Sequence, residues 1–230
     1  MNTYKQLFFN DKWKKSIKSG CEQFNIFPDN NQLDLFAIHA AHLYMWNKTI
    51  NLTAITDPEE IAFKHFVDSI ALIHYFKSRK ADGLKIMDMG SGGGFPGFCL
   101  KVMNPQLDIV MIDSAKKKVN FLKDLIRTTG FDKIEAKHIR AEDLSDQDMY
   151  KNKFDFVVSR AFSNLNKFYS LSLPFLKKKG CILAMKGHDF EKEIKELNNL
   201  IVLNNSPMYV QLYPYSLPFQ NIKRSIVQIS

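Results

Sequence analysis

Hydrophobic periodicity divides the chain near residue 80. Before that point apolar residues recur at helical spacing. Leu33, Phe36, Ala37, Ala40, Ala41 and Tyr44 share one face of a segment that Asp29-Asn30-Asn31 can cap and that runs through Trp46. Asp57, Pro58 and Glu60 then supply the N-cap, first and third helical positions of a helix to about Phe76. Beyond residue 84, short apolar runs alternate with amphipathic ones. The spacing predicts strands over 84–89, 107–112, 133–139, 154–159 and 180–185, with helices over 115–129, from beyond 162 to about 173, and over 190–197. Gly130 closes the first of these helices. Residues 208–215 and 225–229 alternate as a hairpin would. The expected organisation is an N-terminal helical extension, residues 1–80, and an α/β core, residues 81–230, with a mostly parallel seven-stranded sheet.

Composition adjusts this picture only slightly. A hydrophobic content of 45% in 230 residues is ample for a core, and 19 phenylalanines imply heavy aromatic packing. No apolar run reaches the roughly 18 residues of a membrane span. The start, Met1-Asn-Thr-Tyr-Lys-Gln6, lacks the apolar stretch of a signal peptide, so a cytoplasmic monomer is expected. Cys21, Cys99 and Cys181 are scattered and form no C-x-x-C pair, which fits reduced thiols. The net charge of +8 describes a surface that attracts polyanions. Lysines cluster at Lys12, Lys14, Lys15 and Lys18, at Lys116–Lys118, and at Lys177–Lys179. Compositional bias gives the same pattern, so charge alone leaves nucleic-acid binding open.

The chemistry begins where the first strand ends. Leu84 to Met89 opens into Gly90, Gly92, Gly93 and Gly94, a turn whose backbone a ligand can approach closely, and Pro96 suits the first turn of the helix that follows. A dinucleotide site wants G-x-G-x-x-G, and Gly92, Gly94 and Gly97 match that spacing. Asp88 argues the other way. A carboxylate two residues before the first glycine repels a pyrophosphate and favours S-adenosylmethionine, which carries a sulfonium and an ammonium. On this motif alone both cofactor classes stand. The second strand ends in Asp113, placed to accept hydrogen bonds from ribose hydroxyls in either class. Arg140-Ala141-Glu142-Asp143 follows the third strand, where methyltransferases of this architecture contact adenine. Three acidic strand ends in register with the glycine turn, and a terminal antiparallel pair, favour the methyl donor.

At these positions the chain resembles the bacterial small-subunit ribosomal RNA guanine-N7 methyltransferases, also called glucose-inhibited division protein B. The matching segments are Trp46-Asn-Lys-x-x-Asn-Leu-Thr53, His65-Phe-Val-Asp-Ser-Ile70, Asp88-Met-Gly-Ser-Gly-Gly-Gly-Phe-Pro-Gly97, Asp113-Ser-Ala-Lys-Lys-Lys118, Ser159-Arg-Ala-Phe162 and Met185-Lys-Gly187. Many methyltransferases share the glycine motif; the Asn-Leu-Thr and Ser-Arg-Ala-Phe pieces discriminate far better. Gly93 stands where Pro or Ala is common, and Asp113 where Glu is frequent. The last forty or so residues are placed by pattern alone. The resemblance implies a Rossmann-like class I methyltransferase that moves a methyl group from S-adenosylmethionine to N7 of a guanine in small-subunit (16S) ribosomal RNA, free or in the 30S particle. It implies cofactor contacts at Gly90, Phe95, Ala141, Glu142 and Arg160, to which the residue reading adds Asp88, Gly92 and Asp113. Arg160 is expected to be catalytic. Asn51, Thr53 and Lys186 are candidates for the substrate side, and His65 and Asp68 for walls of the pocket or supports of its junction with the core.

The acceptor can also be argued from chemistry. Methylation of an exocyclic amine usually needs an Asn- or Asp-Pro-Pro-aromatic run after the fourth strand, and this chain has Ser159-Arg-Ala-Phe162 there. Methylation at a pyrimidine carbon needs a cysteine nucleophile, and none is close in sequence. Guanine N7 carries a lone pair and no proton, so transfer to it asks only for in-line placement. His39-x-x-His42 has no acid or cysteine at ligand spacing, and packing histidines are expected there, with no metal. A dinucleotide-dependent oxidoreductase and a non-catalytic RNA-binding module remain the competing classes.

Overall fold

A computed structural model describes residues 3–77, 83–144, 147–160, 162, 164–187 and 190–230. Its strands are β1 (Lys85–Met89), β2 (Asp108–Asp113), β3 (Ile134–His138), β4 (Phe154–Arg160), β5 (Leu176–Lys186), β6 (Val210–Leu217) and β7 (Ile222–Ile229). They form one seven-stranded sheet in the order β3-β2-β1-β4-β5-β7-β6. β1 to β5 are parallel, and β7 runs antiparallel to both β5 and β6. The expected strands are all present, and one starts earlier than its apolar pattern. Phe154 pairs with Leu176 and Phe156 with Cys181, so Lys177–Gly180 bulge opposite Asp155. The three lysines there are exposed, which hid this part of the strand from a hydrophobic reading.

Helices cover both faces of the sheet. α1 (Thr3–Phe8), α2 (Asp11–Glu22) and α3 (Asn30–Ile50) come first. Asp29 and Gln32 close a reciprocal capping box at the start of α3. The segment begun by Asp57 is helical but irregular. α4 (Pro58–Ile61) widens into a π-helical stretch, Ala62–Val67, then passes through α5 (Asp68–Ile70) and a 3-10 turn, Ala71–Ile73, to α6 (His74–Lys77). A regular helix was expected to about Phe76; the end of the extension, residues 78–80, lies outside the described residues. α7 (Gly97–Met103), α8 (Lys116–Thr129), α9 (Ala141–Leu144), α10 (Leu165–Ser172) and α11 (Glu191–Leu203) follow. Gly130 ends α8 with φ +69°.

Strand residues alternate between two apolar layers, as expected of a sheet buried on both faces. Met87, Val110, Val157 and Ile182 face α10 and α11. Ile86, Ile109, Phe156 and Leu183 face the other way and share one core with the N-terminal helices, α7 and α8. Phe66 packs edge-on against Trp13 and Phe95, at 5.6 and 5.2 Å, and against Phe36 at 5.3 Å, so the N-terminal helices reach the glycine turn through aromatic rings. The parallel strands all end on one rim, and β7 begins there.

Candidate active site

The strand order reverses between β1 and β4, the switch point at which open α/β sheets bind ligands. On the β1-β2-β3 side the rim is a backbone surface. Gly90 leaves β1 with φ +79°, and a Cβ placed on it would meet no atom within 4 Å. The open space belongs to a cleft of about 200 Å³ lined by Gly90, Asp113, Ala141, Glu142 and Phe162. Asp113 holds the turn in place. Its Oδ2 accepts from the Gly92 amide at 3.0 Å and its Oδ1 from the Ala115 amide at 2.8 Å. Each oxygen keeps a further lone pair for a ligand. Glu142 accepts from the Lys167 ammonium at 2.7 Å, and that bond holds its carboxyl below the usual range. The cradle left open at Gly90, with acids at its edge, fits an adenosine-bearing cofactor.

Asp88 lies beneath the turn rather than on its open side. It is fully buried, with Oδ2 accepting from the Gly97 amide at 2.9 Å and Oδ1 unpartnered. Burial pushes its carboxyl up to about 7. Sealed under the turn, the carboxyl fixes the start of α7. Gly97 has no room for a side chain for the same reason, because a Cβ would stand 2.7 Å from Asp88 Oδ2. Phe95 is buried as well. It stacks on His39 and His65 at 4.6 and 4.7 Å, with the Arg160 guanidinium 4.8 Å from its centroid.

The β4-β5-β7 side is a network of side chains. Arg160, the last residue of β4, donates to Lys64 O at 2.7 Å and to His65 Nδ1 at 2.9 Å. An arginine only donates, so His65 Nδ1 is the bare nitrogen and Nε2 carries the proton to Thr53 Oγ1, 2.8 Å away. Burial and the guanidinium together push His65 down to about 2, which keeps it neutral. Asp68 Oδ2 lies 3.7 Å from Arg160; its Oδ1 accepts from Tyr215 at 2.7 Å and lies 3.7 Å from Arg224. Arg160, His65, Asp68 and Arg224 border a cavity of about 360 Å³ with Lys64 and Lys186. The Lys186 ammonium is already engaged, by Phe162 O at 3.0 Å and by both oxygens of Glu193.

Local structure explains the spacing of these residues. Asn51 ends α3 in the left-handed region, φ +47°. Asn47 exchanges two hydrogen bonds of 2.9 Å with the backbone of Thr53, which fixes the connector beneath His65. The π-helical turn then carries His65 and presents the Lys64 carbonyl to Arg160, a distortion often found at functional sites. Ala161 lies outside the described residues. Tyr215 and Arg224 were missed by sequence reasoning, since they sit on a hairpin identified by alternation alone. Cys99 was missed too: α7 brings its thiol near Arg160, but burial raises it far above neutrality, so it is no nucleophile. His39 is buried with Nε2 donating to Gly93 O at 2.7 Å, and His42 bonds Ile38 O at 2.9 Å. Among the described residues no cluster of three or more metal-ligating side chains occurs, and no helix is long and apolar enough to cross a membrane.

Fold and site together define a Rossmann-like methyltransferase architecture. A S-adenosylmethionine-dependent methyltransferase from Aquifex aeolicus superposes with a TM-score of 0.54 at 16% identity, over 78% of this chain and 96% of that one. TYW2 of M. jannaschii, solved with AdoMet, gives 0.53 at 15% identity over 70% and 74%. Such identities speak to fold alone. Sequence is more specific. The chain is 38% identical over 216 residues to the ribosomal RNA small subunit methyltransferase G of Geobacter sp. (strain M21), covering 94% of this chain and 96% of the relative. It is 45% identical over 150 residues to the protein of that name from Clostridium novyi (strain NT), covering 65% and 61%. The family model for rRNA small subunit methyltransferase G (GidB) matches residues 32–212, and the chain belongs to that family.

Proposed function

We propose that this chain is a class I methyltransferase that transfers a methyl group from S-adenosylmethionine to N7 of a guanine in 16S ribosomal RNA. Residues 81–230 form its core and residues 1–80 an extension that holds the acceptor side. The cofactor supplies an electrophilic methyl group on a sulfonium. Gly90 and Gly92 leave it room, Asp113 offers oxygens to its ribose, and Ala141 and Glu142 border its adenine. Arg160 faces the acceptor. One observation carries the choice of atom: the imidazole beside Arg160 has no free nitrogen, His65 having a partner on each. Such a site suits an acceptor that has no proton to lose. Asn51 and Thr53 serve through the connector that seats His65, and Lys186 through its grip on the Phe162 carbonyl. The surplus of positive charge favours docking through phosphates.

Purified chain, labelled S-adenosylmethionine and either 30S particles or naked 16S RNA decide the matter. Label is expected on a guanine that becomes N7-methylated by mass mapping. Label on an exocyclic amine or a base carbon overturns the acceptor, and binding of NAD without S-adenosylhomocysteine overturns the class.

A further inference from the structure

Asp68 is 3% exposed, and removing a carboxylate from water is costly unless donors and cations hold it. The groups that face it come from three strands and its own helical run. Arg160 approaches from β4 and Arg224 from β7, each at 3.7 Å, and Tyr215 donates from β6 at 2.7 Å. His65, one turn earlier, is neutral, and the Lys64 ammonium is paired with Glu60 at 2.6 Å. The nearest partner of this carboxylate is therefore a phenol 147 positions away in the chain, not a cation. Its ring is held edge-on by Phe24 at 5.9 Å.

We propose that Tyr215 is a positioning residue for methyl transfer: its hydroxyl keeps Asp68 ionised and aimed, and Asp68 in turn anchors the Arg160 guanidinium on the acceptor side of the rim. The proposal rests on the reading that Arg160 faces the acceptor. Burial raises the Asp68 carboxyl, while the two arginines and the Tyr215 hydrogen bond pull it back down. A protonated Asp68 leaves Arg160 and Arg224 around an uncharged group, and Arg160 then keeps only its bonds to Lys64 O and His65 Nδ1 against their repulsion.

Tyr215→Phe removes one hydroxyl and keeps the ring against Phe24. Titration of the Asp68 carboxyl by 13C NMR is expected to move up by roughly one to two pH units, the equivalent of one hydrogen bond to a charged group. The acid limb of kcat for methyl transfer to 30S particles should move with it, so that the loss of activity shrinks as pH rises. KM for S-adenosylmethionine should stay near that of the unmodified chain. Asp68→Asn should lower kcat at every pH and remove the limb. A shifted Asp68 titration with an unmoved limb would make Tyr215 merely structural, and an unmoved titration sinks the proposal outright. If the unmodified chain methylates no 30S particle, the functional reading fails. The Asp68 titration and the guanidinium NMR signals of Arg160, expected to exchange faster in Tyr215→Phe, then still decide the role of Tyr215.

Discussion

The two halves of the rim are made of different material. On the β1-β2-β3 side the surface is backbone. Gly90 and Gly92 stand at positive φ, and the amides of Gly90 and Ser91 donate to Ile112 O at 2.9 and 3.1 Å, so the turn is stitched to β2 without side chains. Side chains add ties from Asp113 to the Gly92 amide, from His39 to Gly93 O and from Asp88 to the Gly97 amide. On the β4-β5-β7 side nothing is held by backbone alone. Arg160 depends on His65, which depends on Thr53, while Asp68 depends on Tyr215. A backbone cradle presents shape and fails when it is filled. A buried polar network presents orientation and fails when any member is lost, because its neighbours are left unsatisfied.

The largest effect should come from breaking the network at its centre. Arg160→Ala is expected to lower turnover at saturating RNA by about 100-fold or more, the scale of a misplaced reactant. S-adenosylhomocysteine affinity by calorimetry should fall much less. Intact methyl transfer in this variant would remove Arg160 from the site. Filling the cradle comes next. Gly90→Val should abolish measurable cofactor binding while the fold survives, at a stability cost of about 1–2 kcal/mol for a side chain in left-handed backbone. Near-normal affinity would place the cofactor elsewhere.

Asp113→Ala sharpens the contrast, because it removes the side chain that ties the Gly92 amide and lines the cleft. Cofactor affinity should drop about 10- to 100-fold, the range of a hydrogen bond to a charged group, and RNA affinity without cofactor should hold. An equal fall in both would make the residue structural. The smallest effect concerns His39, which joins the halves through Phe95. Burial pushes its imidazole down to about 3, so the folded state keeps it neutral. Its contribution is present above pH 6.5 and is lost as pH falls toward 3. His39→Gln should be less stable at pH 7. Its deficit in urea unfolding should narrow by at most about 1.4 kcal/mol per pH unit below 6.5. A deficit that stays constant from pH 7 to 4 would mean that His39 is not held neutral.

Much of this was legible beforehand. The capped helices, the strand–turn–helix at Gly90, Asp113 at the end of β2 and Arg160 at the end of β4 all follow from local signals. The burial of Asp88 was not visible in the sequence, because an acid at a strand end reads as a rim residue. Phe95 is a cofactor contact only as the resemblance implies it, and its burial, at 4% exposure, was not visible in the sequence. The irregular helix was expected to be regular because its cap is clear and Ala62–Val67 holds no Pro or Gly to announce the wider turn.

The sequence by itself determined the glycine-turn half of the rim. A glycine's freedom at positive φ and the period of a strand act over a few residues, and between Gly90 and Glu142 the chain passes along neighbouring strands in order. Only the tertiary structure decided the acceptor half. Periodicity says that residues 208–229 form a hairpin but not which edge it joins. Once β7 lies antiparallel beside β5, Tyr215 and Arg224 arrive at the same rim as Arg160. Thr53, His65 and Asp68 come to it from the opposite end of the chain. What selects that arrangement is burial: carboxylate, imidazole and guanidinium leave water together only where each finds the others, and no local pattern records that requirement.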